Sequence, residues 1–200
     1  MFGLLKKVNK GRIEKEFEWM SLKRIVSDLH EDSLSPIVVA NGLCRLSIYG
    51  GLNLKKTIDE HKLLKKADPD RLVIEGVAFT WRHIYRACLK SSDVDIYEDK
   101  DLADAVYGCS GALHAVLDDH TDFDLEKKYT RPYADKDLIE STEVLTSRLL
   151  KAGNVEMLGD IKDHVGTAVA ANIYASSLLP GIVEASINLL RIYLNPDDFK

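Results

Sequence analysis

The sequence is short of chain-breaking residues: 12 glycines and 5 prolines in 200 positions, against a usual combined share of about 12%. That shortage disfavours turn-rich β-structure and favours long helices. Cysteine is scarce too. Cys44, Cys88 and Cys109 make an odd three, none spaced as CxxC or CxH, which excludes a fully paired disulfide framework and a zinc-finger ligand set. Each lies among apolar residues, as a small buried hydrophobe does, so a reducing, cytoplasmic setting is expected. Several catalytic signatures are also missing. There is no GxGxxG, GxxxxGKS/T, GxSxG or HExxH, which removes the common phosphate loops, the nucleophile elbow and the zincin helix. No ExxH pair and no His-Asp dipeptide occur, so a di-iron carboxylate bundle and a helical metal phosphohydrolase are not expected.

Globular values fill the rest of the composition. Hydrophobic residues make up 46% and charged residues 30%, so the chain can bury a core without a staple. A net charge of −5 speaks against a protein that coats nucleic acid. One domain over 1–200 is expected, with 1–11 a flexible basic N-terminal segment. Residues 1–30 carry seven Lys/Arg against four acids; a solvated terminus is the favoured reading, and contact of residues 1–10 with an anionic membrane the lesser one. Apolar residues come before the lysines, the reverse of a secretory signal.

Apolar spacing predicts an all-α bundle of seven to eight helices. The first covers 12–30. A second starts at Pro36, which is preorganised for a first helical position, and stops at Gly50-Gly51. A Lys-rich third runs over 53–67. Over 70–90, Ile74, Val77, Ala78, Trp81, Ile84, Tyr85 and Cys88 share a face; over 99–118, Leu102, Ala105, Val106, Cys109, Leu113, Val116 and Leu117 do the same. Residues 119–135 read as a long connection. A helix over 137–152 closes at Gly153, the longest helix spans 154–179, Pro180-Gly181 breaks or kinks it, and a last helix covers 182–194.

Two of these helices are apolar on more than one side. Helix 99–118 carries Gly108, Gly111 and Ala115 opposite its core stripe. Glycine inside a helix costs roughly 1 kcal/mol against alanine, so a close neighbour is expected there. From Val165 to Val183 no residue is charged. Interspersed Asn172, Ser176, Ser177 and Pro180 lower its hydropathy, so a buried central helix explains this run better than a membrane span. The two sides of helix 154–179 hold Leu158, Ile161, Val165, Val169 and Ser176, and Thr167, Ala171, Tyr174 and Leu178. Packing within the chain is one expectation for these faces, and a homodimer seam through Gly108, Gly111, Ala115, Ala171 and Tyr174 is the other. Asn172 is expected to be buried and hydrogen-bonded, either setting register, the favoured reading, or forming part of a pocket.

Three groups could carry chemistry. Asp118, Asp119 and Asp122 match DDxxD, in which helix-borne carboxylates gather Mg²⁺ around a diphosphate; an acidic helix end explains them as well, and no second metal motif completes the site. Glu75, Arg82 and Arg86, with His83, share one arc of helix 70–90 and could form an anion site or an exposed face of ordinary ion pairs. Arg24 and His30 have the loose spacing of some helical ribonucleases, which chance also supplies.

The sequence therefore points to a soluble all-α protein that binds a protein partner or itself, with no cofactor and without catalysis. A Mg²⁺-dependent enzyme acting on a phosphorylated or diphosphate ligand through Asp118, Asp119 and Asp122 is the alternative.

Overall fold

A computed structural model describes residues 35–90, 99–107, 131–133, 135–155 and 161–194. All regular structure among them is helical. Helix α1 is Pro36–Glu60, α2 is Pro69–Lys90, α3 is Leu138–Ala152, α4 is Ile161–Ile173 and α5 is Leu179–Leu194. A 3₁₀ turn covers Arg131–Tyr133, and a π-helical turn, Tyr174–Leu178, joins α4 to α5. Residues 100–107 are helical as well. The helix expected over 12–30, and positions 108–118 of the one expected over 99–118, lie outside the described residues.

Helix starts follow the local chemistry. Ser35 is extended and Pro36 takes the first helical position of α1. At α3, Asp137 accepts from the Glu140 amide at 2.8 Å while the Glu140 carboxylate accepts from the Asp137 amide at 3.1 Å. This reciprocal box satisfies two orphan donors. Asp99 likewise accepts from the Leu102 amide at 2.9 Å, opening the helical stretch 100–107.

Helix α1 does not stop at Gly50-Gly51. It continues to Glu60 because this pair is where α2 comes closest. A Cβ on Gly51 would lie 2.7 Å from the Val73 carbonyl oxygen, and one on Gly76 would lie 2.8 Å from the Gly51 Cα. Backbone packs on backbone, and that contact offsets the weak helix propensity of glycine. The true stop comes at Lys62, whose φ is +55°; the amides of Lys62 and Leu63 donate back to Asp59 and Ile58, as in a Schellman motif.

The same device ends α3. Asn154 has φ +53°, and the amides of Asn154 and Val155 donate to Lys151 and Leu150. A helix therefore cannot begin at 154 as expected. Nor does Pro180 break the last helical run. A proline removes the donor its preceding turn needs and crowds that turn's carbonyl. Here the turn widens: the Leu179 amide donates to Tyr174 five residues back, and the helix continues to Leu194. π-Bulges absorb one such mismatch without ending a helix.

The central helix is α2 rather than 154–179. Every residue from Leu72 to Trp81 is buried, and α2 packs against α1, α3 and α5. Of its expected core face, Ile74, Val77, Ala78, Trp81, Ile84 and Cys88 are buried, and Tyr85 is half-buried. Tyr133, in the stretch read as a connection, is a core residue set edge-on to Phe79 at 5.5 Å between ring centres.

Candidate functional site

Residues of α4 divide sharply between two faces. Thr167, Ala170, Ala171 and, one turn on, Tyr174 are buried. The Tyr174 hydroxyl lies 2.5 Å from Thr80 Oγ1 on α2. Ala171 and Tyr174, expected as seam residues, thus pack inside the chain and are not available to a partner. On the outer face Ile161 is 81% exposed, Val165 58%, Val169 50% and Ile173 46%. Four branched apolar side chains at four-residue spacing form a continuous ridge along a helix. Asn172 is not buried either: exposed beside this ridge, it donates to the Ala168 carbonyl at 2.8 Å within its own helix.

Beside the ridge runs a groove of about 530 Å³ between α3 and α4. Ala168, Asn172 and His164 form its α4 wall, one residue behind the ridge positions; Ile139, Thr142 and Thr146 belong to its α3 wall. Ile139 is among the most exposed large apolar residues at 72%. The floor and rim are mixed, with Glu143 and Lys151 giving one charge of each sign. Among the described residues no metal-ligand cluster lies on this surface. The surface can bury apolar area and accept hydrogen bonds at its edges.

Two runs, Pro36–Glu60 and Ile161–Leu194, are long and apolar enough to cross a membrane by length and composition. The most apolar window is 61% buried in the first and 39% in the second.

The arc of α2 expected as an anion site faces another helix. Glu75 is buried, and Arg148 of α3 meets it through Nε at 2.5 Å and through Nη2 at 3.2 Å. Burial pushes the Glu75 carboxyl above its ordinary range even against the Arg148 guanidinium. Three turns on, Arg86 donates to the Lys136 carbonyl just before α3. Glu75 is therefore an interhelical ion-pair partner and is not grouped with Arg82 and Arg86 around an anion. His83, between those two arginines, is held neutral, its pKa lowered to about 4 by burial and then by the charges of Arg86 and Arg82.

Asp118, Asp119 and Asp122 lie outside the described residues, as do Gly108, Gly111, Ala115, Arg24 and His30. Among the described residues no group of three His, Cys, Asp or Glu side chains could hold a metal ion. Cys44 and Cys88 are free and buried, and burial pushes the Cys88 thiol up to about 12. Ile161, Val165 and Val169 of the ridge were legible in the sequence as one side of an apolar run; Ile173, and which side faced outward, were not. No protein-family model, curated protein or solved structure matches the chain.

Proposed function

We propose that this protein acts by binding, through the outer face of α4, and that its partner is a second copy of itself. The single observation that carries this reading is the exposed ridge of Ile161, Val165, Val169 and Ile173. Soluble proteins leave single apolar side chains exposed without consequence, but a contiguous row beside a groove marks an interaction surface.

A second copy fits because one surface supplies both complementary parts. A two-fold axis brings the same patch of each subunit together, so the patch must complement itself. Here each copy offers a ridge of i, i+4 residues and, alongside it, a groove between α3 and α4. The ridge of one molecule enters the groove of the other, and the reverse contact follows from symmetry. The spacing is also symmetric about Thr167. With the two helices antiparallel, Ile161 stands opposite the partner subunit's Ile173 and Val165 opposite the partner subunit's Val169. Glu143 and Lys151, of opposite sign on the groove, can pair with their counterparts at the rim. The free, buried Cys44 and Cys88 fit a cytoplasmic setting.

Replacing Val165 and Val169 together with glutamate tests this. Both are half exposed or more, so the doubly substituted chain keeps its helical content and melting behaviour while its association is lost. Association that survives the two charges would overturn the reading.

A further inference from the structure

A second cavity lies on the other side of the α3 entrance and belongs to no part of the α4 surface. It is about 320 Å³, set between the C-terminal half of α2, the first turn of α3 and the start of α5. Leu138, Ala175, Leu179 and Val183 make its walls apolar, and His83 and Arg86 bring polar atoms to it from α2. The π-helical turn shapes one wall: Ala175 is inside that turn and Leu179 closes it. Such turns recur at ligand sites because they displace a helix wall by one residue. Leu138 remains 42% exposed at the first turn of α3.

Among the described residues that line it, this corner has a guanidinium and no carboxylate. Arg86, on the cavity wall, is half-buried and meets no carboxylate among the described residues. His83 Nε2, also on the wall, is buried without a hydrogen-bond partner among the described residues. Arg86 is nonetheless fixed, because one guanidinium nitrogen donates to the Lys136 carbonyl. A guanidinium has five N–H donors, so most remain for another acceptor. Holding the Arg86 guanidinium partly out of water with no counter-charge among the described residues is unfavourable. An anion that enters the corner relieves that cost, while its apolar part displaces water from the aliphatic walls.

The geometry points to this cavity as a binding site for a small amphipathic carboxylate, its head on the Arg86 guanidinium and its apolar body against Leu138, Ala175, Leu179 and Val183. A carboxylate suits it better than a phosphate. One fixed arginine offers the parallel donors that a planar carboxylate accepts bidentately, whereas a doubly charged phosphate needs more donors than these walls contain. Size sets the class further, since a cavity at the small end of ligand sites takes a medium-chain or single-ring carboxylate and not a long acyl chain. Nothing in this inference depends on self-association through α4.

Octanoate is the probe, with octanol as the uncharged control and acetate as the control without an apolar body. Binding is read by ligand-observed NMR and by the melting temperature, which rises with any ligand held only by the folded state. Octanoate should bind saturably and raise the melting temperature, and octanol and acetate should do neither. Arg86→Gln should weaken octanoate by about tenfold or more. Val183→Trp, which fills the cavity from the opposite wall, should abolish binding and keeps the proposal testable if Arg86→Gln loses stability with its Lys136 contact. Absence of octanoate binding to the wild-type chain, equal binding to the Val183→Trp chain, or octanol binding as tightly as octanoate would each overturn the proposal.

Discussion

Thr80 and Tyr174 share one hydrogen bond whose direction is fixed by a third group. Their hydroxyl oxygens are 2.5 Å apart, and Thr80 Oγ1 also donates to the Gly76 carbonyl at 2.7 Å. A hydroxyl has one proton to give, so the Tyr174 hydroxyl is the donor in the shared bond. Burial pushes the Tyr174 phenol above its ordinary range, which keeps it protonated as the bond requires. This contact ties the π-helical turn to the central helix α2.

The direction of that bond makes the two hydroxyls unequal. Tyr174→Phe removes a donor and leaves Thr80 still bonded to Gly76, at a cost of about 1 kcal/mol. Thr80→Val strands the buried Tyr174 hydroxyl and costs about 2 kcal/mol or more. Urea unfolding of the two chains measures the order, and a larger loss from Tyr174→Phe would contradict the assignment.

Glycine at the α1–α2 crossing should resist replacement. Gly51→Ala or Gly76→Ala forces the two helices apart and costs about 2–3 kcal/mol, although alanine is the better helix former. Gly181→Ala is the control: it is helical, and a Cβ there meets nothing within 4 Å. That change should stabilise the chain by about 0.5–1 kcal/mol. Thermal melts of the three chains give the signs directly.

How much of this was legible in the sequence depended on whether one residue's environment is local. Asp137, Pro36 and the apolar face of α2 act within a few residues of themselves, and the spacing located them. Gly50-Gly51 misled because a glycine pair has the same sequence signature at a helix end and at a helix crossing; only the neighbour α2 separates them. Glu75 misled for the same reason. Read as an exposed acid, it makes α2 amphipathic, whereas pairing with Arg148, 73 residues away, lets α2 be buried on all sides from Leu72 to Trp81. Lys62 and Asn154 end helices in the left-handed region without the glycine that usually announces it. On α4 both faces are apolar, so periodicity could not tell inside from outside, and Asn172 was assigned to the interior on that account.

Breaking the Glu75–Arg148 pair from either end should have unequal effects. Side-chain exposure is 3% for Glu75 and 22% for Arg148. Arg148→Met leaves a buried carboxylate without its main partner and costs about 3 kcal/mol. Glu75→Gln leaves the arginine nearer to water and costs less. Denaturant unfolding should also show the Arg148→Met loss shrinking at acid pH, where the stranded carboxyl takes a proton.

His83 should give the acid side of the stability curve a distinct step. Its folded pKa of about 4 is below its ordinary value of 6.5, so only the unfolded chain takes up this proton as pH falls through 6.5. Stability is full above that value and is lost on the way to about 4. Between pH 7 and pH 5 the loss is up to about 2 kcal/mol. His83→Gln should flatten this interval; an unchanged slope would show that His83 is protonated in the folded chain.

The most direct test of binding through α4 is the solution mass of the full chain, measured by light scattering after size exclusion from micromolar to near-millimolar concentration. Self-association through the Ile161–Ile173 ridge predicts twice the chain mass of 22.4 kDa, reached in a concentration-dependent, reversible way and lost when Val165 and Val169 become glutamate. A mass of 22.4 kDa at every concentration would contradict it.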